Sequence, residues 1–244
     1  MNMSGNSVLI TGGGSGIGLA LARRFVDLGN DVIICGRDIG RLDAAKAQVP
    51  GITTLRADLA DARQREALVE SVLAIAPKLN MLVNNSGIQR RGSFVADSAA
   101  WDERAEEIAI NLEAPIHLAA LLLPHLVAQP DATIINVSSG LAFLPLKFAA
   151  VYVATKAGLH AFSMALRADL ASSRVRVVEI VPPAVDTGLG GAGLHTHGVS
   201  VDTFVDAVME RIAAGELEIG HGPSDTFRFA TRGEIEELLQ NLNG

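Results

Sequence analysis

The chain has 244 residues, 49% hydrophobic and 19% charged, which excludes global disorder. That length fits one large domain or two small ones, with a core that needs no disulfide or structural metal. Twenty basic against 27 acidic side chains leave a net charge of −7, which argues against a nonspecific nucleic-acid surface. No apolar run reaches the roughly 18 residues of a membrane span. The first residues, Met1 to Asn6, lack a basic stretch ahead of a hydrophobic one, so no secretory leader is expected. The single cysteine, Cys35, cannot pair internally. A cytoplasmic protein is the resulting expectation.

Apolar runs alternate with helical patterns along the chain. Strands are expected at 7–11, 31–35, 52–57, 81–83, 132–137 and 175–181. Their residues are β-branched and continuous, as in strands buried on both faces. Amphipathic stretches lie between them, at 17–28, 41–48, 63–75, 101–126 and 151–171. Beyond an irregular, glycine-rich 186–200 come a helix (202–214), a short strand (217–220) and a terminal helix (234–242). This order predicts one doubly wound α/β domain, Rossmann-like, with about seven parallel strands and helices on both faces.

The first strand runs into Thr11-Gly12-Gly13-Gly14-Ser15-Gly16-Ile17-Gly18 and then a helix. The spacing Gly12-x-x-x-Gly16-x-Gly18 permits a tight turn and close backbone approach. The free amides at the helix start then face a pyrophosphate. After the second strand, Gly36 stands where an acidic residue would select NAD, and Arg37 follows. A guanidinium suits a 2′-phosphate, so NADP(H) is the expected cofactor. Asp38 keeps NAD(H) open, and Arg37 at the solvent-exposed start of the next helix is the plainer alternative.

With these residues the chain resembles the short-chain dehydrogenase/reductase family, well over about 5–190 and loosely beyond. The resemblance also rests on Asp58-Leu59, on Asn84-Asn85-Ser86-Gly87 and on Asn111 between Ile110 and Leu112. It rests further on Asn136-Val137-Ser138-Ser139-Gly140, on Tyr152-Val153-Ala154-Thr155-Lys156 and on Pro182-Pro183-Ala184-Val185-Asp186-Thr187. Ser86 stands where the family usually has alanine, and Pro183 where it has glycine. Tyr152 is the only tyrosine, and Lys156 one of four lysines, which makes a chance Tyr-x-x-x-Lys element improbable.

The resemblance implies a catalytic set of Asn111, Ser139, Tyr152 and Lys156, with a nicotinamide cofactor as hydride carrier. It implies cofactor contacts from Gly12, Gly14, Ser15, Gly16, Ile17, Gly18, Arg37, Asp58, Leu59, Asn85, Ser86, Gly87, Ile110, Pro182, Val185 and Thr187, besides Tyr152 and Lys156. Lys156 would also bond the nicotinamide ribose, Asn111 would hold a water serving Lys156, and Thr187 would orient the carboxamide. Ser138 is a second candidate for the active hydroxyl; the family spacing favours Ser139.

The chemistry fits the residue types. Tyrosine can protonate a carbonyl oxygen as hydride reaches the carbon, but its ordinary pKa is about 10. Lys156 shares its helix face at i+4 and is expected to pull that value down. Ser139 would steady the developing negative charge.

Substrate walls are expected from Gln89–Phe94, Gly140–Phe148, Pro183, Ala184 and the 188–200 loop, within a 188–215 lid region. Gln89, Gly140, Leu141, Phe143, Phe148, Pro183 and Ala184 are the named contacts, with Leu144 beside them. Their apolar character points to a hydrophobic or aromatic ketone or aldehyde. Arg90-Arg91 reads either as an exposed pair or as a contact to an anionic substrate. His195 and His197 lack a third ligand in sequence, so no metal is expected. The remaining histidines of helical stretches, including His160, read as packing or surface residues.

The expected activity is NADPH-dependent reduction of a carbonyl, reversible. A noncatalytic NADP-binding sensor and a ketoreductase for carrier-bound acyl chains are the alternatives. A homodimer or homotetramer through the 101–126 and 151–171 helices is expected, with no nucleic-acid or membrane partner.

Overall fold

The computed structural model describes residues 1–96 and 98–243, the side chain of Asn243 excepted. Seven strands form one parallel sheet: β1 (Ser7–Thr11), β2 (Asp31–Gly36), β3 (Thr53–Arg56), β4 (Met81–Asn84), β5 (Ala132–Val137), β6 (Val175–Ile180) and β7 (Glu218–Ile219). Their order is β3-β2-β1-β4-β5-β6-β7. The order reverses between β1 and β4, the place where open α/β sheets bind ligands.

Continuous apolar strands serve two cores. Val8 and Ile10 of β1 face one, Leu9 the other; Val32 and Ile34 of β2 face the first, Ile33 and Cys35 the second. The first core is covered by α1 (Gly16–Asp27), α2 (Ile39–Gln48) and α7 (Val201–Ala213), which contribute Phe25, Leu42 and Phe204. The second is covered by α3 (Ala62–Ile75) and α5 (Ala114–Val127), through Leu68, Val72, Leu118 and Leu122. Each such side chain contributes about 1.5–3 kcal/mol by leaving water. β3 departs from expectation: it forms the sheet edge, and Thr53 and Arg56 are exposed. With β2 as its sole neighbour in the sheet, it is not buried on both faces.

The helix expected at 101–126 is interrupted. α4 (Trp101–Ile108) passes through a wide π-turn (Ala109–Glu113) before α5 begins. By length and composition 101–127 would also cross a membrane, but Leu118, Leu122 and Leu126 pack on the sheet. α6 (Ala150–Asp169) lies beside α4 and the π-turn. Past β7, α8 (Pro223–Phe229) precedes α9 (Arg232–Asn243). The sequence reading leaves α8 unassigned, although Gly222-Pro223 is a helix-opening pair.

Candidate active site

A cleft of ≈ 1770 Å³ opens above the β1/β4 reversal. The loops after these strands are stapled together. The Asn85 and Ser86 amides each donate to Thr11 Oγ1 at 3.0 Å, and Asn85 Nδ2 donates to the Thr11 carbonyl at 3.0 Å. This packing dictates Gly18: a Cβ there would lie 2.4 Å from both Asn85 Nδ2 and the Gly12 carbonyl oxygen. Gly12 adopts φ +66° and Gly16 φ +54°, which other residues rarely tolerate. Ser15 caps α1 without a side-chain bond, and no acidic residue occupies the first turn. The first-turn amides are therefore free of side-chain caps and suited to a phosphate. All the expected cofactor residues except Gly18 border this cleft; Gly18 supports the turn from behind. A dinucleotide fits this donor set, with Arg37 and Asp58 at one end and Thr187 toward the other.

Arg37 is half-exposed at the cleft edge, where its Nη1 donates to Glu106 Oε1 at 2.5 Å. Asp38 is occupied as the cap of α2, accepting from the Arg41 amide at 3.0 Å.

At the other end the strand β5 delivers two serines with different duties. Ser138 Oγ donates to the buried Glu179 carboxylate at 2.5 Å, which removes it as a candidate for the active hydroxyl. Ser139 hydrogen-bonds Tyr152, and its Oγ also accepts from the Leu141 amide at 3.1 Å. On α6, Lys156 Nζ lies 5.6 Å from the Tyr152 ring centre and donates to the Val137 carbonyl at 2.8 Å. Asn111 sits in the π-turn, wholly buried. It accepts from the Ile88 amide at 2.9 Å and donates back to the Ile88 carbonyl at 2.8 Å. Gly87 lies between these groups: its Cβ would stand 3.4 Å from Asn111 Oδ1 and 3.6 Å from Lys156 Nζ. The four expected catalytic side chains therefore gather at one end of the cleft.

Electrostatics correct one expectation. With Lys156 near its ring, the Tyr152 phenol nonetheless stands above its ordinary value. Burial pushes it up to about 12, the Ser139 bond opposing and the Glu107 charge adding. Lys156 is itself pushed down to about 8 by burial, with Glu179 opposing. Desolvation of the charged form is the largest influence on both groups. Two carboxylates that the sequence did not single out thus act on the site, one of them paired with a histidine. Glu107 is buried, accepts from the Arg90 amide, and is pushed up by burial. Glu179 is buried beneath Ser138, and its second oxygen accepts from His160 Nδ1 at 2.8 Å. His160 is therefore neither plain packing nor plain surface.

The substrate end is lined by Gln89, Gly140, Leu141, Phe148, Pro183 and Ala184. Phe143 and Leu144 are not among the lining residues. The 3₁₀ turn at 140–142, with the Phe143 and Leu144 amides bonded to the Gly140 carbonyl, rotates them away. Phe143 meets the His160 ring at a tilt of 58° with ring centres 4.5 Å apart, and Leu144 is buried. Phe227 and His221, which the sequence reading passes over, border the cleft instead. Ser224 positions that segment by donating to the Val181 carbonyl at 2.6 Å. Of the 188–215 stretch expected to overhang substrate, 188–199 reaches the cleft. Residues 201–213 form α7, with Phe204 and Val208 in the core. His195 and His197 also border the cleft, ring centres 6.3 Å apart. Among the described residues, the compact group of metal-capable side chains lies elsewhere, at His160, Glu179 and Glu218. There Arg228 donates to Glu218 at 3.2 Å.

A family model described as short chain dehydrogenase matches residues 6–196. An uncharacterized oxidoreductase of Bacillus subtilis, DltE, is 46% identical over 248 residues, covering 100% of this chain and 98% of that protein. The NADP-dependent 3-hydroxy acid dehydrogenase YdfG of Salmonella typhi is 36% identical over 181 residues, covering 73% of this chain and 72% of that protein. A short-chain dehydrogenase from Sphingobium yanoikuyae, solved in complex with NADPH, superimposes with a TM-score of 0.82. It is 30% identical and covers 97% of this chain and 96% of that one.

Proposed function

The chain belongs to the short chain dehydrogenase family of oxidoreductases, and on that footing we propose that it is an NADPH-dependent carbonyl reductase. It would convert a ketone or aldehyde to an alcohol, reversibly. The observation that carries this reading is the convergence of Tyr152, Ser139 and Lys156 at a buried corner of the glycine-loop cleft.

The nicotinamide supplies the hydride when bound. Tyr152 keeps its proton at neutral pH because burial disfavours the phenolate, and it can pass that proton to the substrate oxygen. Ser139 hydrogen-bonds the same oxygen and stabilises the charge that gathers there. Lys156, close to the ring, offsets the phenolate left behind. Leu141, Leu146 and Phe148 line the cleft and favour an apolar substrate body.

Four observations support NADPH over NADH. No acid stands at Gly36, and Arg37 borders the cleft. The Sphingobium structure holds NADPH, and the Salmonella relative is named for NADP. Exposed Trp101, Ile116 and Met164 on the helices at 101–127 and 150–169 support a homo-oligomer built through these helices.

The test is oxidation of NADPH and NADH against aliphatic, aryl and 3-oxo carbonyls. NADPH turnover that falls at least about 100-fold in Tyr152→Phe, with cofactor binding kept, is the expected result. Cofactor binding without turnover of any carbonyl would instead favour a noncatalytic sensor.

A further inference from the structure

The two ends of the cleft differ in charge. The acidic residues bordering it are Asp38, Asp58 and Glu106, all at the Arg37 end. No carboxylate lines the substrate end among the described residues. Arg90, Arg91 and Lys156 border it there instead, together with the imidazoles of His195, His197 and His221.

Arg90 and Arg91 separate here. Arg90 is engaged by α4, where it ion-pairs with the Glu103 carboxylate and donates to the Glu103 carbonyl at 3.2 Å. Arg91 has no carboxylate partner among the described residues. Its position is nevertheless set. The Gly92 amide donates to the Phe148 carbonyl at 2.7 Å, which ties the 88–92 loop to the segment leading into α6. The Arg91 guanidinium then lies 4.3 Å from the centre of the Phe148 ring. Phe148 stands one helical turn ahead of Tyr152. A guanidinium stacked on a ring keeps its N–H fork at the edge, free for bidentate bonds to a planar anion. His195, which borders the same cleft, has a buried Nε2 with no hydrogen-bond partner.

We propose that the substrate is an oxo acid, its carboxylate held by Arg91 at the cleft mouth and its carbonyl at Tyr152. The apolar body would lie along Phe148 and Leu141. The reaction rests on the reductase reading above; the charge of the ligand rests on Arg91 and its surroundings.

The experiment compares 3-oxobutyrate with its methyl ester in the native protein, Arg91→Gln and Arg91→Lys, with NADPH. The native protein is expected to favour the acid by at least about 10-fold in kcat/KM. Arg91→Gln is expected to raise KM for the acid by about that factor, with kcat and the ester nearly unchanged, and Arg91→Lys to recover part of the loss. Equal treatment of acid and ester by the native protein, or equal losses for both in Arg91→Gln, would overturn the proposal. Calorimetric titration with butyrate keeps the two readings apart. If no carbonyl of the whole panel turns over, the reductase reading fails, but butyrate binding that weakens about 10-fold in Arg91→Gln still supports the carboxylate site. No binding, or binding insensitive to Arg91, sinks it.

Discussion

The hydroxyl of Ser138 donates to the Glu179 carboxylate at 2.5 Å, inside the protein and one residue away from the serine that meets Tyr152. Two adjacent serines thus serve separate ends. One helps satisfy a buried charge; the other opens to the cleft. Substitution should divide them. Ser138→Ala withdraws a partner from a buried carboxylate and is expected to cost about 2 kcal/mol, seen as a lower Tm. Ser139→Ala is expected to leave Tm near native and to lower kcat about 100-fold. Thermal melts and steady-state kinetics on both variants check the division; a reversed pattern would exchange the roles.

A 2′-phosphate at Arg37 would compete with Glu106 for the guanidinium. Arg37→Gln is expected to weaken NADPH about 10- to 100-fold and NADH by less than about 3-fold. Glu106→Gln frees the guanidinium and is expected to tighten NADPH by about 3-fold, the modest scale of an exposed ion pair. Fluorescence titration of both cofactors measures this. Arg37→Gln weakening the two cofactors alike would remove Arg37 as the selecting group.

Lys156, at about 8, loses its proton well before Tyr152, at about 12. Carbonyl reduction is therefore expected to hold level through neutral pH and to fall above roughly pH 8 as the ammonium is lost. Lys156→Arg, which keeps its charge, should carry the fall to higher pH at a lower maximal rate. A pH–rate profile for kcat that stays flat past pH 10 in the native protein would contradict this.

His160 is raised above the ordinary histidine value, chiefly by its hydrogen bond to Glu179. The sign follows from that direction. Below the unfolded pKa, both folded and unfolded chains hold the proton and the stabilisation is complete. It is lost as pH rises through the higher folded value. The Tm advantage of native protein over His160→Gln should therefore be largest near roughly pH 5.5 and shrink toward roughly pH 9. An advantage that grows with pH would show the histidine to be neutral in the folded state.

Much of this site is legible in the residues themselves. Glycines before a helix, a lone tyrosine four residues ahead of a lysine, and an arginine after the second strand each carry a local mechanism. The strands are legible because β-branched runs are continuous where two cores meet one sheet. Phe143 and Leu144 were misplaced because a 3₁₀ turn rotates side chains in a way that composition does not reveal. Glu107, Glu179 and His160 escaped notice for a related reason. A charged residue inside an apolar strand or helix shows its partner only when separate elements, here β5, β6 and α6, come together. The wide turn at 109–113 leaves no periodicity signal in so short a span.

That turn carries a consequence for how the chain can change. Upstream, the helix carries Glu106 to the cleft edge and the buried Glu107 to the Arg90 amide; downstream it carries Leu118 and Leu122 into the core. Each residue advances a helix by about 100°, so the extra one in the turn offsets the phase of one half against the other. A one-residue deletion there would restore regular bonding yet rotate one half out of place. Variation in length can be absorbed in exposed loops, but this helix tolerates none: its residue count is a gear ratio between core and cleft.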